Sequence, residues 1–524
     1  MANPSNPTPL TIGAEAEGVF GVIEEDGAAA FSEKELEMIR PVLIRPAAEV
    51  QPRAGGDDSD SEDYEFVVRL EDWTWRRIRH IIAHDTGVLV TENQGPNPEF
   101  HVRGTLHSAG GNPYYYSWRV VPEQSARIPI DDPTVYPKGV EHIGFELVSP
   151  AMELKPENLD EIALVYRCLC GGNPIFRPAP LTPDTCGFHV HVGIGAARFS
   201  AHQMRRIACV TYATGRFLTQ LLPPSRRGNY FSRLNRYYSY LAHASTEPDQ
   251  PDIVEWACSE VRRKAQEQDW GDMDRKFGVR GGEHDAPLSE PAEVYVDSGT
   301  LRFSWQIKEQ EQAAKGKGKT AANDSGEEED TGPFIRRIAC GELLSENLRP
   351  DTFHYTSRGN TLDIDNGSPY EEDPAAPAAT PTSIADATRH IMHCPSAAAV
   401  AQLMQPGRLA ASFGGYTGPS STVDPRKPTI EFRQLSGTFH ADAACAWIRV
   451  VAQLVRVAID WPWEDVNKLL RACGLGERAP DEYDVFDLLV DIGCAAKAAL
   501  IQDMILEDPV GNPFNWVVKD DEMD

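Results

Sequence analysis

The sequence contains no uninterrupted apolar run near the roughly 18 to 20 residues that a membrane-spanning helix needs, so no helical span is predicted. Its first eleven residues are rich in Pro and Asn and carry neither the basic nor the apolar block of a secretion signal. Cysteine is scarce, ten in 524 residues, which excludes a disulfide scaffold. Cys168-x-Cys170 has no second pair at zinc-finger spacing, so buried free thiols are expected. Basic charge is short as well. Fifty Lys and Arg face 79 Asp and Glu, a formal net charge of -29, which argues against nucleic-acid or anionic-membrane binding. A nucleotide can still bind such a chain through a local cluster of metal and arginine. The expectation is a soluble, cytoplasmic protein with no nucleic-acid or membrane partner; its oligomeric state is not encoded in any motif. A phosphate-binding loop is also missing. Residues 313–320, Ala-Ala-Lys-Gly-Lys-Gly-Lys-Thr, end like one, but Ala313 replaces the first glycine and no apolar strand precedes it.

What is present is an ordinary globular composition, 41% hydrophobic, in a chain long enough for a large core. Three stretches are too polar or too biased to pack: an acidic loop at residues 53–65, a Lys/Gly-rich then Glu-rich insert at 308–333, and a Pro/Ala-rich loop at 370–382. They are read as disordered or flexible insertions in a single catalytic domain, residues 1–524. Between them the periodicity predicts a first strand over residues 11–20, a short helix over 32–39, and a core helix over 70–84 carrying Trp73, Trp75, Ile78, Ile81 and Ile82. It further predicts a strand over 114–121, a helix capped at Asn158, a helix capped at Ser200, and a helix over 444–458.

Four strand-like stretches carry the chemistry. In Thr185-Cys-Gly-Phe-His-Val-His-Val-Gly193 the period-two rule aims His189 and His191 to one side and Phe188, Val190 and Val192 to the other. Residues 12–17 bring Glu15 and Glu17, residues 143–150 bring Glu146, and residues 429–433 bring Glu431 and Arg433. Taken alone, the first of these also fits a solvated edge strand with Ala14 and Ala16 inward, and the histidines fit a half-buried strand meeting solvent. Burying a carboxylate costs several kcal/mol unless a cation offsets it, so three such strands beside the histidines imply a shared cationic centre.

If the four strands lie side by side, four carboxylates and one or two imidazoles can hold two or three divalent cations. Oxygen ligands favour Mg²⁺ or Mn²⁺ over zinc. Arg433, two residues from Glu431, points the same way and suits a phosphoryl group with developing charge. Metals, an arginine and no evident nucleophile suggest phosphoryl transfer from ATP. With a carboxylate as acceptor the product is an acyl phosphate, which an amine attacks to form an amide. The basic loop of residues 225–230 adds Arg226 and Arg227, either ordinary surface arginines or contacts to an anionic ligand such as ATP.

The order Glu-x-Glu, Glu-Leu-Val-Ser-Pro, Cys-Gly-Phe-His-Val-His-Val-Gly, Thr-Ile-Glu-Phe-Arg resembles the amidoligase family, a branch of the carboxylate-amine ligases that includes glutamine synthetase and glutamate-cysteine ligase. Trp118-Arg-Val-Val-Pro-Glu-Gln-Ser125 and Leu222-Pro-Pro-Ser-Arg226 are similar to its supporting segments. The resemblance implies an α+β fold: a curved, mainly antiparallel sheet forming a funnel, backed by helices, with ATP and metals inside. It implies that Glu15, His189 and Glu431 hold one metal and Glu17 and Glu146 another. His191 would lie near the ATP phosphates, and Glu431 and Arg433 would serve catalysis, Arg433 steadying the transferred phosphoryl. A further carboxylate for the second metal falls to Glu123 or Glu153, although Glu123 stands where the family has aspartate. The activity implied is ATP-dependent amide or isopeptide ligation of small-molecule or peptide carboxylates and amines. Two alternatives stay open at this point: a metal-dependent hydrolase built on the His-x-His strand, and an inactive binding or scaffold protein that keeps the fold.

Overall fold

A computed structural model describes residues 7–24, 42–45, 62–91, 117–126, 140–172, 180–183, 185–195, 197–222, 226, 232–244, 252–267, 381–405, 409–417, 429–479 and 482–507. The expected helix at 32–39, the insert at 308–333, Arg227 and residues 53–61 and 370–380 of the two loops lie outside them.

The centre of the fold is β1 (Thr11–Glu24), a 14-residue strand. It is flanked on one side by β5 (Glu141–Val148) and on the other by β7 (Gly187–Gly193). Beyond β5 come β4 (Trp118–Pro122) and β3 (Val90–Thr91); beyond β7 come β9 (Ile430–Ser436) and β8 (Ala411–Ser412). Two short strands, β2 (Val42–Arg45) and β6 (Met152–Glu153), pair with opposite ends of β1. Pairing is antiparallel except for β1 with β2 and β3 with β4. The result is an open, mostly antiparallel sheet backed by helices, a mixed α+β architecture.

β1 is therefore not the solvated edge that its alternating sequence also allows. Ala14 and Ala16 are fully buried on the helix side, together with Phe188, Val190, Val192, Ile430 and Phe432. Small alanines on the middle strand let large neighbours meet beneath it. Phe20 stacks on Phe145 at 5.0 Å, Phe145 on Phe439 at 5.6 Å, and Tyr166 meets Phe188 edge-on at 6.1 Å.

Strands β5, β7 and β9 each lead into a helix of this layer: α2 (Pro156–Arg167), α3 (Ala201–Thr219) and α4 (Ala441–Asp460), with β6 lying between β5 and α2. Helix α1 (Glu62–Thr86) contains the predicted core stretch, with Ile78, Ile81 and Ile82 buried and both tryptophans packed at its margin. Its start also takes residues 62–65 out of the acidic loop. Ser200 caps α3 as expected, in a box completed by Gln203. The cap of α2 is corrected: Lys155 occupies that position, Pro156 opens the helix, and Asn158 instead donates to the Glu153 carbonyl from within the first turn. One buried apolar cluster runs from Leu10 to Ile501, so the sheet and helices share a core.

Candidate active site

The strand register assembles the site. On β1, Gly13 lies opposite His191 and Glu15 opposite His189; on the other side Glu17 lies opposite Glu146. His191 in turn faces Glu431 across β7 and β9, and Glu431 faces Ser412 on β8. The pairing of β7 with β9 shifts between Phe188 and Val190, giving β9 an extra residue beside His189. Four strands thus carry their polar residues onto one face of the sheet, away from the aromatic layer.

His189 is the hub. Its Nδ1 lies 3.6 Å from Glu15 Oε2, 3.7 Å from Glu431 Oε1 and 4.0 Å from Glu146 Oε1, and its Nε2 lies 3.6 Å from Glu17 Oε1. The side chain is 3% exposed, yet Nδ1 has no hydrogen-bond partner among the described residues. A buried ring nitrogen facing three carboxylates without bonding any of them has a geometry that suits a cation ligand. Two donor sets have ligand atoms within 4.8 Å of one another: Glu15, His189 and Glu431, and Glu17, Glu146 and His189. The residues therefore fit a divalent cation, and oxygen donors outnumber nitrogen as Mg²⁺ and Mn²⁺ prefer.

The flanking residues are tightly set. His191 Nδ1 bonds the Thr429 hydroxyl at 3.1 Å, which turns Nε2 to within 3.1 Å of Glu15 Oε1, close but not aligned as a hydrogen bond. Glu17 accepts from the Gly187 backbone N–H at 2.6 Å. Arg433 pairs directly with Glu431. Burial alone would raise the Glu431 carboxyl, but Arg433 and the two imidazoles outweigh it and hold it below the usual carboxylate range. Burial likewise opposes charge on Arg433, and Glu431, Glu17 and Glu15 reverse that effect, keeping the guanidinium firmly protonated. Cys186, next in chain to Gly187, is fully buried, and burial with the nearby Glu17 charge pushes its thiol far up, so it is no nucleophile.

The structure brings together Glu15, Glu17, Glu146, His189, His191, Glu431 and Arg433. Arg226 is not a surface arginine: it is 1% exposed and donates from Nε and Nη2 to the carbonyls of Gln434 and Arg433. Neither expected extra carboxylate joins the donor sets. Glu153, on β6 opposite Thr11 and away from Glu17, pairs with Lys155. Glu123 accepts from the Ser125 backbone N–H and hydroxyl, at 2.8 and 2.6 Å. Sequence reasoning missed the sharing of His189 between both sets, the Thr429 contact and the burial of Arg226. Only Thr429 left a trace, as the hydroxyl that opens the last motif strand.

A family model described as "Putative amidoligase enzyme" matches residues 35–273, just under half of the chain. Over that stretch the chain is similar to amidoligases. That match includes Glu146, His189 and His191 and points to a ligase-type enzyme, while the sheet supplies Glu15, Glu17, Glu431 and Arg433 from outside the matched stretch. No curated protein and no solved structure matches the chain. No helix of its described residues is long and apolar enough to cross a membrane.

Proposed function

We propose that the protein is an ATP-dependent carboxylate-amine ligase working through an acyl phosphate on the acidic face of its sheet, the inner wall of a glutamine-synthetase-like funnel. The observation that carries this reading is the buried, unpartnered His189 Nδ1 among Glu15, Glu146 and Glu431, with Arg433 fixed beside Glu431. A divalent cation held there, Mg²⁺ or Mn²⁺, offsets the repulsion between ATP and an incoming carboxylate and polarises the phosphoryl group. The chain's own residues do the rest. Arg433, kept charged by its neighbours, contacts the transferred phosphoryl as charge develops on it. His191, anchored by Thr429, borders the phosphates.

In the first step a substrate carboxylate oxygen bonds the terminal phosphorus and ADP leaves. In the second an amine nitrogen attacks the acyl carbon, loses a proton, and phosphate leaves. Exclusion of water protects the mixed anhydride between the steps.

Incubating the protein with ATP, Mn²⁺ and a panel of carboxylates plus hydroxylamine tests the proposal, because hydroxylamine captures acyl phosphates as hydroxamates. ADP release matched by hydroxamate is expected with the correct acid. No ADP or hydroxamate with any acid of the panel, together with hydrolysis of the corresponding amides in the absence of ATP, would contradict it.

A further inference from the structure

The sheet face that carries the cation centre also carries an arginine outside it. Arg119 lies on β4 between Trp118 and Val120, which are buried on the helix side, where Trp118 meets Tyr166 edge-on at 6.3 Å. The alternation of a strand therefore turns Arg119 to the acidic face. Across the sheet it shares one row with Thr91, Val148, Glu15 and His189. We infer that Arg119 is a specificity-determining residue that binds a second carboxylate on the acid substrate, so that the protein acts on short dicarboxylic acids. This deepens the ligase reading and rests on it.

Nothing else in the described residues accounts for this guanidinium. The side chain is partly exposed, yet its Nε is buried without a hydrogen-bond partner, and no described residue forms an ion pair with it. Its neighbours in the register, Thr91 and Val148, are uncharged, and the Thr91 hydroxyl is already engaged with that of Ser117 at 2.7 Å. The glutamates of β1 and β5 gather around His189 instead. Arg433 and Arg226 are both occupied, the first by Glu431 and the second by two backbone carbonyls. A charged donor left unbonded at the margin of a site suits a ligand carboxylate.

Its place fits the acid rather than the nucleotide. Arg433 and His191, the groups assigned to the phosphates, lie on β9 and β7, whereas Arg119 lies on the other side of β1. An acid that attacks the terminal phosphorus over the cation extends away from Arg433, toward β5 and β4. Neighbouring strands lie about 4.8 Å apart, so the two steps from Glu15 to Arg119 cover roughly 10 Å of sheet. Along them the row reads cation ligand, apolar side chain, guanidinium. A short dicarboxylic acid presents its groups in the matching order: carboxylate, methylene groups, carboxylate.

Assays of the full chain with ATP, Mn²⁺ and hydroxylamine, comparing succinate, glutarate and adipate with butyrate, valerate and hexanoate, test the inference; calorimetric titration of the same acids without ATP reads binding alone. At least one diacid should exceed its matched monoacid by about tenfold or more, in kcat/KM and in affinity. Arg119→Ala should lower that ratio about 10- to 100-fold, chiefly through KM, and Arg119→Lys should restore part of it. Thermal melts identify any variant that fails to fold, and the Lys variant then carries the test. No diacid preference in the wild type would overturn the inference. So would a preference kept in folded Arg119→Ala, an equal loss for diacids and monoacids, or a preference seen only among amines, for β-alanine over propylamine. Diacid binding that depends on Arg119, with no ADP or hydroxamate formed, would remove the ligase reading and leave Arg119 in this role. Turnover of diacids and monoacids alike would do the reverse.

Discussion

Replacing Gly187 with alanine adds one methyl group where the site has no room. The new Cβ would stand 2.6 Å from His189 Nε2 and 2.6 Å from Arg226 Nη2, against about 3.5 Å for ordinary contact, so both must retreat by roughly 1 Å. Neither does so freely, because His189 is buried and Arg226 is tied to the Arg433 and Gln434 carbonyls. Overpacking of this kind costs about 1 to 3 kcal/mol. Some of that strain falls on His189, and 1.4 kcal/mol spent on a ligand corresponds to about tenfold in affinity. Gly13→Ala is the internal control on the same face: its nearest atom is His191 Cβ at 3.7 Å, and loss of glycine flexibility should leave it neutral or stabilised by up to about 1 kcal/mol. Urea denaturation without metal and Mn²⁺ titration of both variants read the two effects. Gly187→Ala should unfold at lower urea and bind Mn²⁺ at least tenfold more weakly, while Gly13→Ala should bind Mn²⁺ as the wild type does and unfold at the same or slightly higher urea. Equal behaviour of the two variants would refute the packing argument.

Glu477→Gln weakens the pairing of the buried Arg236, which donates from Nε and Nη2 at 2.7 and 3.0 Å to a half-buried carboxylate; calorimetry should show a loss of about 2 to 4 kcal/mol, and a loss under 1 would contradict it. Ser200→Ala breaks the capping box of α3 and should cost about 1 kcal/mol in urea unfolding, with Ser200→Asp restoring most of it. Burial, with Asp85 beside it, raises the Cys168 thiol to about 11, so it stays protonated near neutrality. Its alkylation by iodoacetamide, followed by peptide mass spectrometry, should be slow at pH 8 and rise about tenfold per pH unit toward pH 10; a rapid, pH-independent reaction would contradict the burial account.

The site was largely legible in the chain because its residues break a local rule. Glutamates alternating with alanines, and histidines alternating with β-branched residues, put charge into strands that should be apolar, and only a shared partner makes that tolerable. Registers between distant strands were not legible. The positions of Glu123 and Glu153 depend on long-range pairing, of β4 with β5 and of β6 with the start of β1, and neither sequence neighbourhood encodes it. Arg226 reads as a surface residue because its loop is polar; its burial comes from the space left by Gly187, 39 positions earlier in the chain. The start of α2 was misplaced because Asn158 looks like a cap, whereas Pro156, whose missing N–H costs nothing at the first helical position, sets the boundary.

The central claim is that Glu15, His189 and Glu431, from three strands spread over most of the chain, bind one ion together. The most direct measurement is anomalous-difference density from crystals grown with Mn²⁺. A single strong peak within bonding distance of the two carboxylates and of His189 Nδ1 is predicted. A peak bonded to His189 Nε2 and Glu17, or none on this face of the sheet, would contradict it.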